Sequence, residues 1–151
     1  MVSSVVVRAL LCAATLTGCA AGDPAGDGPV VFAGPPQEVL ASESGQLRVD
    51  VRWWPRPTHV GDGAVELAIA DTAGAPATGM SLSVLLWMPA HGHGTSVQQT
   101  VTETAPGVFV AAPLYLYMSG EWELLMSMSM STPSSTTGTT DDSATASLTV
   151  P

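Results

Sequence analysis

The residues of this chain best suited to chemistry are two histidines and two methionines that lie close together. The octapeptide MPAHGHGT runs from Met88 to Thr95, and Met118-Ser119-Gly120-Glu121-Trp122 comes two dozen residues later. Imidazole and thioether together form a ligand set that favours copper over hard cations. His91 and His93 are two residues apart, so in an extended segment both rings point the same way and can reach one ion, while Gly92 and Gly94 let backbone approach closely. The expected metal ligands are therefore His91, His93 and Met118, with Met88 as a further thioether. Met118 precedes a Gly-containing turn and is expected to be exposed; Met88 comes after Trp87 at a strand end, a position equally suited to core filling. A copper ion is the expected cofactor, as Cu(I) where thioether dominates or as Cu(II) where two imidazoles do.

Other chemistries find less support. Zinc sites usually recruit cysteine, carboxylate or a third histidine rather than thioether, and the third histidine here, His59, sits in a Pro-rich segment with no evident partner. Calcium needs clustered carboxylates, and Asp141-Asp142 is the one adjacent pair. No Ser/His/Asp arrangement, nucleophilic cysteine or Gly-rich phosphate loop points to catalysis, so a binding protein rather than an enzyme is expected. Met126, Met128 and Met130 alternate with leucine and serines on the strand of Trp122 and are expected to pack in the core, where methionine fills irregular gaps, with Met130 open to exception by its place toward the strand end.

Arg8, the apolar run Ala9 to Leu16 and small residues before Cys19 make residues 1–18 a secretory signal, too short to span a bilayer. Leu16-Thr17-Gly18-Cys19 resembles the lipobox of bacterial lipoproteins, which implies that Cys19 becomes the lipidated first residue of the mature chain. Cys12 is then discarded, no disulfide is left, and the protein is expected in the bacterial cell envelope, anchored to a membrane and facing the periplasm. The mature chain is long enough for one domain with a real core. The whole sequence carries a formal charge of −9, and after the signal three arginines face thirteen carboxylates with no lysine. Nucleic acid and anionic lipid surfaces need cationic partners and are excluded on that balance.

Residues 19–45 open with Ala, Gly, Asp and Pro and are expected to form a flexible tether. Residues 46–151 form the domain, with a long polar loop over 131–143, where STPSSTTGTTDDS has no large apolar side chain. Elsewhere the apolar period is two: Leu47, Val49, Val51 and Trp53; Val65, Leu67 and Ile69; Met80, Leu82, Val84, Leu86 and Met88; Trp122, Leu124 and Met126; Ala144, Ala146, Leu148 and Val150. A strand over Val97 to Glu103 precedes a turn at Ala105-Pro106-Gly107, and Pro113 interrupts the strand from Val108 to Tyr117, implying a bulge or an edge position. Such spacing predicts an all-β chain, an immunoglobulin-like antiparallel β-sandwich of about seven strands.

The run from Trp53 to Met130 resembles the YtkA-like domain, a FixH-related family of secreted or membrane-anchored bacterial β-sandwiches. The shared features, in order, are a Pro-rich entry before Gly (Pro55, Pro57, Gly61), a strand ending in Asp before Gly (Asp71, Gly74), the Met-Pro and His segment (Met88, Pro89, His91, His93), Pro-Gly before an aromatic strand (Pro106, Gly107, Phe109), and M-x-G-x-W (Met118, Gly120, Trp122). This resemblance implies an immunoglobulin-like fold and an association with copper or oxidase assembly, hence an envelope partner such as an oxidase or copper transporter. The chain departs from the family in carrying Ala90 where a further methionine is common, with His93 added, and in its Ser/Thr-rich loop. A reading of another class is an immunoglobulin-like module that binds an envelope protein and no metal.

Overall fold

The computed structural model describes residues 30–55, 58–131 and 139–151. The expected signal segment, Cys19 and the Gly-Asp-Pro stretch after it lie outside the described residues, as do residues 132–138 of the expected polar loop.

Alternation of apolar and polar residues yields nine strands among the described residues: β1 (Glu38–Ala41), β2 (Leu47–Trp54), β3 (Gly61–Asp71), β4 (Met80–Met88), β5 (His93–Gly94), β6 (Thr100–Ala105), β7 (Val108–Leu116), β8 (Gly120–Ser131) and β9 (Thr139–Val150). They form two antiparallel sheets, β1-β2-β3-β7-β6 and β5-β4-β8-β9. The fold is the all-β sandwich that the period-two pattern predicts, and among the described residues no helix interrupts it. Two short strands raise the number above seven. One is β1, which lies inside the stretch expected as tether; the other is the two-residue β5. The expected polar loop is also shorter than its composition suggested, because Thr139 to Ser143 pair with β8 as part of β9.

Each strand turns alternate side chains inward. On β2 this buries Leu47, Val49, Val51 and Trp53; on β4 it buries Met80, Val84, Leu86 and Met88; on β8 it buries Trp122, Leu124, Met126 and Met128. Trp54 remains half-buried, as expected for the outward ring of the Trp pair. Each fully buried aliphatic side chain contributes about 1.5–3 kcal/mol. Pro113 produces a bulge in a central strand: Gly63 pairs with Leu114 and Val65 with Ala111, so Ala112 and Pro113 together oppose Ala64. A residue without an N–H is thus kept out of the regular ladder.

The long last strand lies at a sheet edge and is held by the segment around β1. Glu43 N–H donates to Ser143 O (2.7 Å), Ser147 N–H donates to the Glu38 carboxylate (3.1 Å), and Ser44 donates to Asp142 through both its hydroxyl (2.6 Å) and its backbone N–H (3.1 Å). Burial pushes the Asp142 carboxyl up, but the bonds from Ser42, Ser44 and the Ser143 N–H outweigh it and hold the group below its ordinary value. Across the other sheet, Arg52 donates to Gly34 O (3.1 Å), and Gln37 brackets Trp53 by donating to its carbonyl and accepting from its N–H. Residues 34–41 therefore belong to the folded body.

Candidate metal centre

One end of the sandwich gathers the turn between β4 and β5, the β7–β8 connection and the start of β8. Met88 and His93 are directly opposed in the β4–β5 ladder, so their side chains share a face. The loop between them, Pro89 to Gly92, folds back on the Met88 carbonyl, which accepts from His91 N–H (3.1 Å) and Gly92 N–H (3.0 Å). Gly92 has φ +66°, which an L side chain tolerates poorly. Gly94 is needed for another reason: a Cβ there would lie 2.5 Å from Leu86 O.

His91 thus sits in a turn rather than in the extended segment that two-residue spacing suggested, yet the turn still brings it to His93. The ring centroids are 5.6 Å apart and the planes cross at 86°. With metal–nitrogen bonds of about 2.0 Å, two imidazoles sharing one ion at tetrahedral to trigonal angles have centroids roughly 5.2–5.5 Å apart, so this separation suits a common ion. Both histidines are exposed. His93 Nδ1 lies 3.2 Å from Gly94 O, and an Nδ1–H donated there leaves Nε2 as the free donor atom.

The two methionines lie on the core side. Met88 is 2% exposed, and its Cε occupies the space a Cβ on Gly120 would take, 2.7 Å from that position. Gly120 has φ +128°, so glycine satisfies both the backbone and the methionine there. Two residues earlier, Met118 is half-buried and packs against the core, not exposed as expected. Its carbonyl accepts from Trp122 Nε1 (3.0 Å), which ties the β7–β8 connection to the central ring of β8. Structure therefore brings His91, His93 and Met88 to one end, and the Met88–Gly120 contact brings the Met118 turn beside them.

His59 is exposed on the β2–β3 connection, which lies at this same end because Gly61 pairs with Leu116. Its neighbour Thr58 reaches Thr149 O on the edge strand β9, where Thr149 pairs with Glu121 at the start of β8. Among the described residues no three His, Cys, Asp or Glu side chains come together as a metal cluster. Met126 and Met128 are 1% exposed and pack as core, as expected. Cys19 lies outside the described residues.

The family model described as YtkA-like matches residues 42–126, more than half of the chain. The chain belongs to the YtkA-like family. All five motifs from Pro55 to Trp122 fall inside the matched span. Among solved structures, a copper-bound variant of FetP from uropathogenic Escherichia coli resembles this YtkA-like chain at a TM-score of 0.52 and 11% identity, covering 78% of this chain and 91% of FetP. FetP in its "as isolated" form, recombinantly expressed in the periplasm of Escherichia coli, gives a TM-score of 0.50 at 12% identity, covering 76% of this chain and 93% of FetP. At these identities the likeness is one of fold. No curated protein matches the sequence.

Two contributors to this end of the YtkA-like domain are not of ligand type and carry little signal in the sequence. Gly120 is legible only as part of M-x-G-x-W; its role as the seat of the Met88 methyl needs the β4–β8 pairing to be known. Tyr117, beside Met118, donates to Asp62 at 2.5 Å and stacks on Tyr115 with centroids 5.3 Å apart. That hydrogen bond, with the adjacent Asp62 charge, pushes the Tyr117 phenol up to about 12.

Proposed function

We propose that this protein binds a copper ion at the β4–β5 hairpin through His91, His93, Met88 and Met118, and carries it as cargo for delivery or oxidase assembly on the outer side of the membrane. The observation that supports this most is an edge-on imidazole pair whose His93 is directly opposed in the ladder to Met88, a buried thioether whose methyl lies against Gly120. Each residue has a separate task. His93, oriented by Gly94 O, offers a neutral imidazole; His91, held by the Met88 carbonyl, supplies the second nitrogen. Met88 is fixed by the core, and Met118 stands on a connection that can adjust within the limit set by Trp122. Soft sulfur favours Cu(I) and paired imidazoles admit Cu(II), so such a set serves a carrier that accepts either oxidation state. The role is one of carriage. The signal segment and the lipobox at Cys19 support a lipid-anchored, periplasm-facing location.

Metal titration of purified residues 30–151 tests the reading. One equivalent of copper should bind to the wild type, and His91→Ala with His93→Ala should abolish most Cu(II) binding while circular dichroism stays β-dominated. Imidazole coordinates only when neutral, so wild-type affinity should fall on acidification and the double variant should lose that dependence. Wild-type uptake retained by the double variant would overturn the ligand assignment. No uptake by either would favour a metal-free interaction module.

A further inference from the structure

The two outer faces of the sandwich differ in a way that the copper reading does not use. Over the five-stranded sheet, Val31 and Phe32 line a cleft with Val110 and Ala112, so the chain's own N-terminal segment covers part of that apolar surface. Both arginines among the described residues lie on that sheet and are paired, Arg48 with Asp50 at 2.8 Å and Arg52 with Glu66 at 2.9 Å. On the four-stranded sheet, Glu43 and Ser44 border a cleft at the serine end, with Ser81, Ser83, Ser127 and Ser129, and that cleft does not extend to Leu85, Trp87 or Leu125.

The outer face of that sheet carries an apolar centre. Leu85 and Leu125 are directly paired across β4 and β8, and Trp87 lies two residues further along β4, paired with Glu123 on one side and Gly94 on the other. Leu85 is 45% exposed; Trp87 and Leu125 are half-buried. Glu121 and Glu123 flank this centre, and neither carboxylate has a hydrogen bond or ion pair with any described residue. No lysine or arginine occurs in β4, β5, β8 or β9. An aromatic and aliphatic centre with charge at its rim is the anatomy of a protein interface. Uncompensated carboxylates set the sign of what fits. A second copy would place Glu against Glu, and an anionic lipid surface is repelled in the same way.

We infer that the outer face of the four-stranded sheet, centred on Leu85, Trp87 and Leu125, docks a partner protein whose contact surface is basic around an apolar patch. Trp87 and Gly94 are paired, so a partner seated there touches the hairpin that carries His93, and docking and metal hand-over share one border. Only that last consequence rests on the copper reading; the docking does not.

Site-specific photocrosslinking in the native cell tests it. The photoreactive residue p-benzoylphenylalanine replaces Leu85 in the full chain, and in a parallel strain it replaces Ala68 on the opposite sheet. The Leu85 position should yield an adduct with one other protein, and mass spectrometry of the linked peptide should find it rich in lysine or arginine. Glu121→Lys with Glu123→Lys should reduce that adduct by at least about tenfold while thermal unfolding shows the variant folded. Equal adducts from both positions, an adduct with a second copy or with lipid, indifference to charge reversal, or no adduct at all would overturn the inference. His91→Ala with His93→Ala in the Leu85 strain separates the two readings. A persisting adduct with no copper uptake by the wild-type protein upholds docking alone, and copper uptake by the wild type without an adduct from the Leu85 position upholds copper alone.

Discussion

Trp122 joins the fold to the candidate metal centre, and its replacement separates the two contributions. The ring is 3% exposed in the core near the start of β8, and its Nε1–H donates to Met118 O at 3.0 Å. Truncation to alanine leaves a cavity among leucines and methionines of the same sheet and should cost about 3–5 kcal/mol. Trp122→Phe keeps an aromatic ring in place but removes the donor; the lost bond is worth about 1 kcal/mol, and the smaller ring brings the total to roughly 1–2 kcal/mol. Against a domain stability of about 5–15 kcal/mol, alanine removes a large share and phenylalanine does not. Urea denaturation followed by circular dichroism measures both, because the remaining tryptophans would complicate fluorescence. Trp122→Phe frees the Met118 turn without disturbing the histidines, so Cu(I) affinity should fall several-fold while Cu(II) affinity stays within about twofold. An alanine cost under about 0.5 kcal/mol would place the ring outside the core. Unchanged Cu(I) affinity in the phenylalanine variant would show that the Trp122 bond does not position the Met118 sulfur.

Single atoms set the other expected outcomes. Gly94→Ala should cost about 1–3 kcal/mol by denaturation and impair Cu(II) uptake, because the new Cβ meets Leu86 O at 2.5 Å and the two-residue β5 has little pairing to resist displacement. The depressed Asp142 carboxyl contributes stability that is present above its unfolded value and lost as pH falls through the folded one. A melting-temperature profile should therefore decline below about pH 4 in the wild type and decline less in Asp142→Asn, whose melting temperature at neutral pH should be lower. Cys19→Ser should move the protein from the membrane fraction to the soluble one on fractionation, and wild-type protein found wholly soluble would refute the anchor.

Much of the fold is legible because a buried sheet face needs a period of two, and Val49, Val51 and Trp53 or Leu124, Met126 and Met128 keep that period without a break. Even the Pro113 bulge can be anticipated, since an interior strand has no use for a residue that cannot donate. What escapes is set by contacts distant in sequence. Glu38–Ala41 has weak apolar character and is a strand because Glu38 to Ala41 pair with Arg48 to Val51 and because β9 needs a cover. Thr139 to Ser143 look like loop by composition, yet β8 supplies a long template and Asp142 a tie. At the candidate metal centre the residue types are readable and their arrangement is not. His91 and His93 meet through a turn closed on the Met88 carbonyl, and Met88 reaches the Met118 turn through the space left by Gly120.

The central claim concerns which atoms surround the ion, and X-ray absorption spectroscopy of the copper-loaded domain measures that directly. The predicted spectrum of the reduced form contains sulfur scatterers together with the multiple scattering of imidazole, with sulfur diminished in Met118→Leu and the imidazole signal lost in His91→Ala with His93→Ala. A first shell of oxygen and nitrogen alone in the reduced wild type, unaltered by these substitutions, would contradict it.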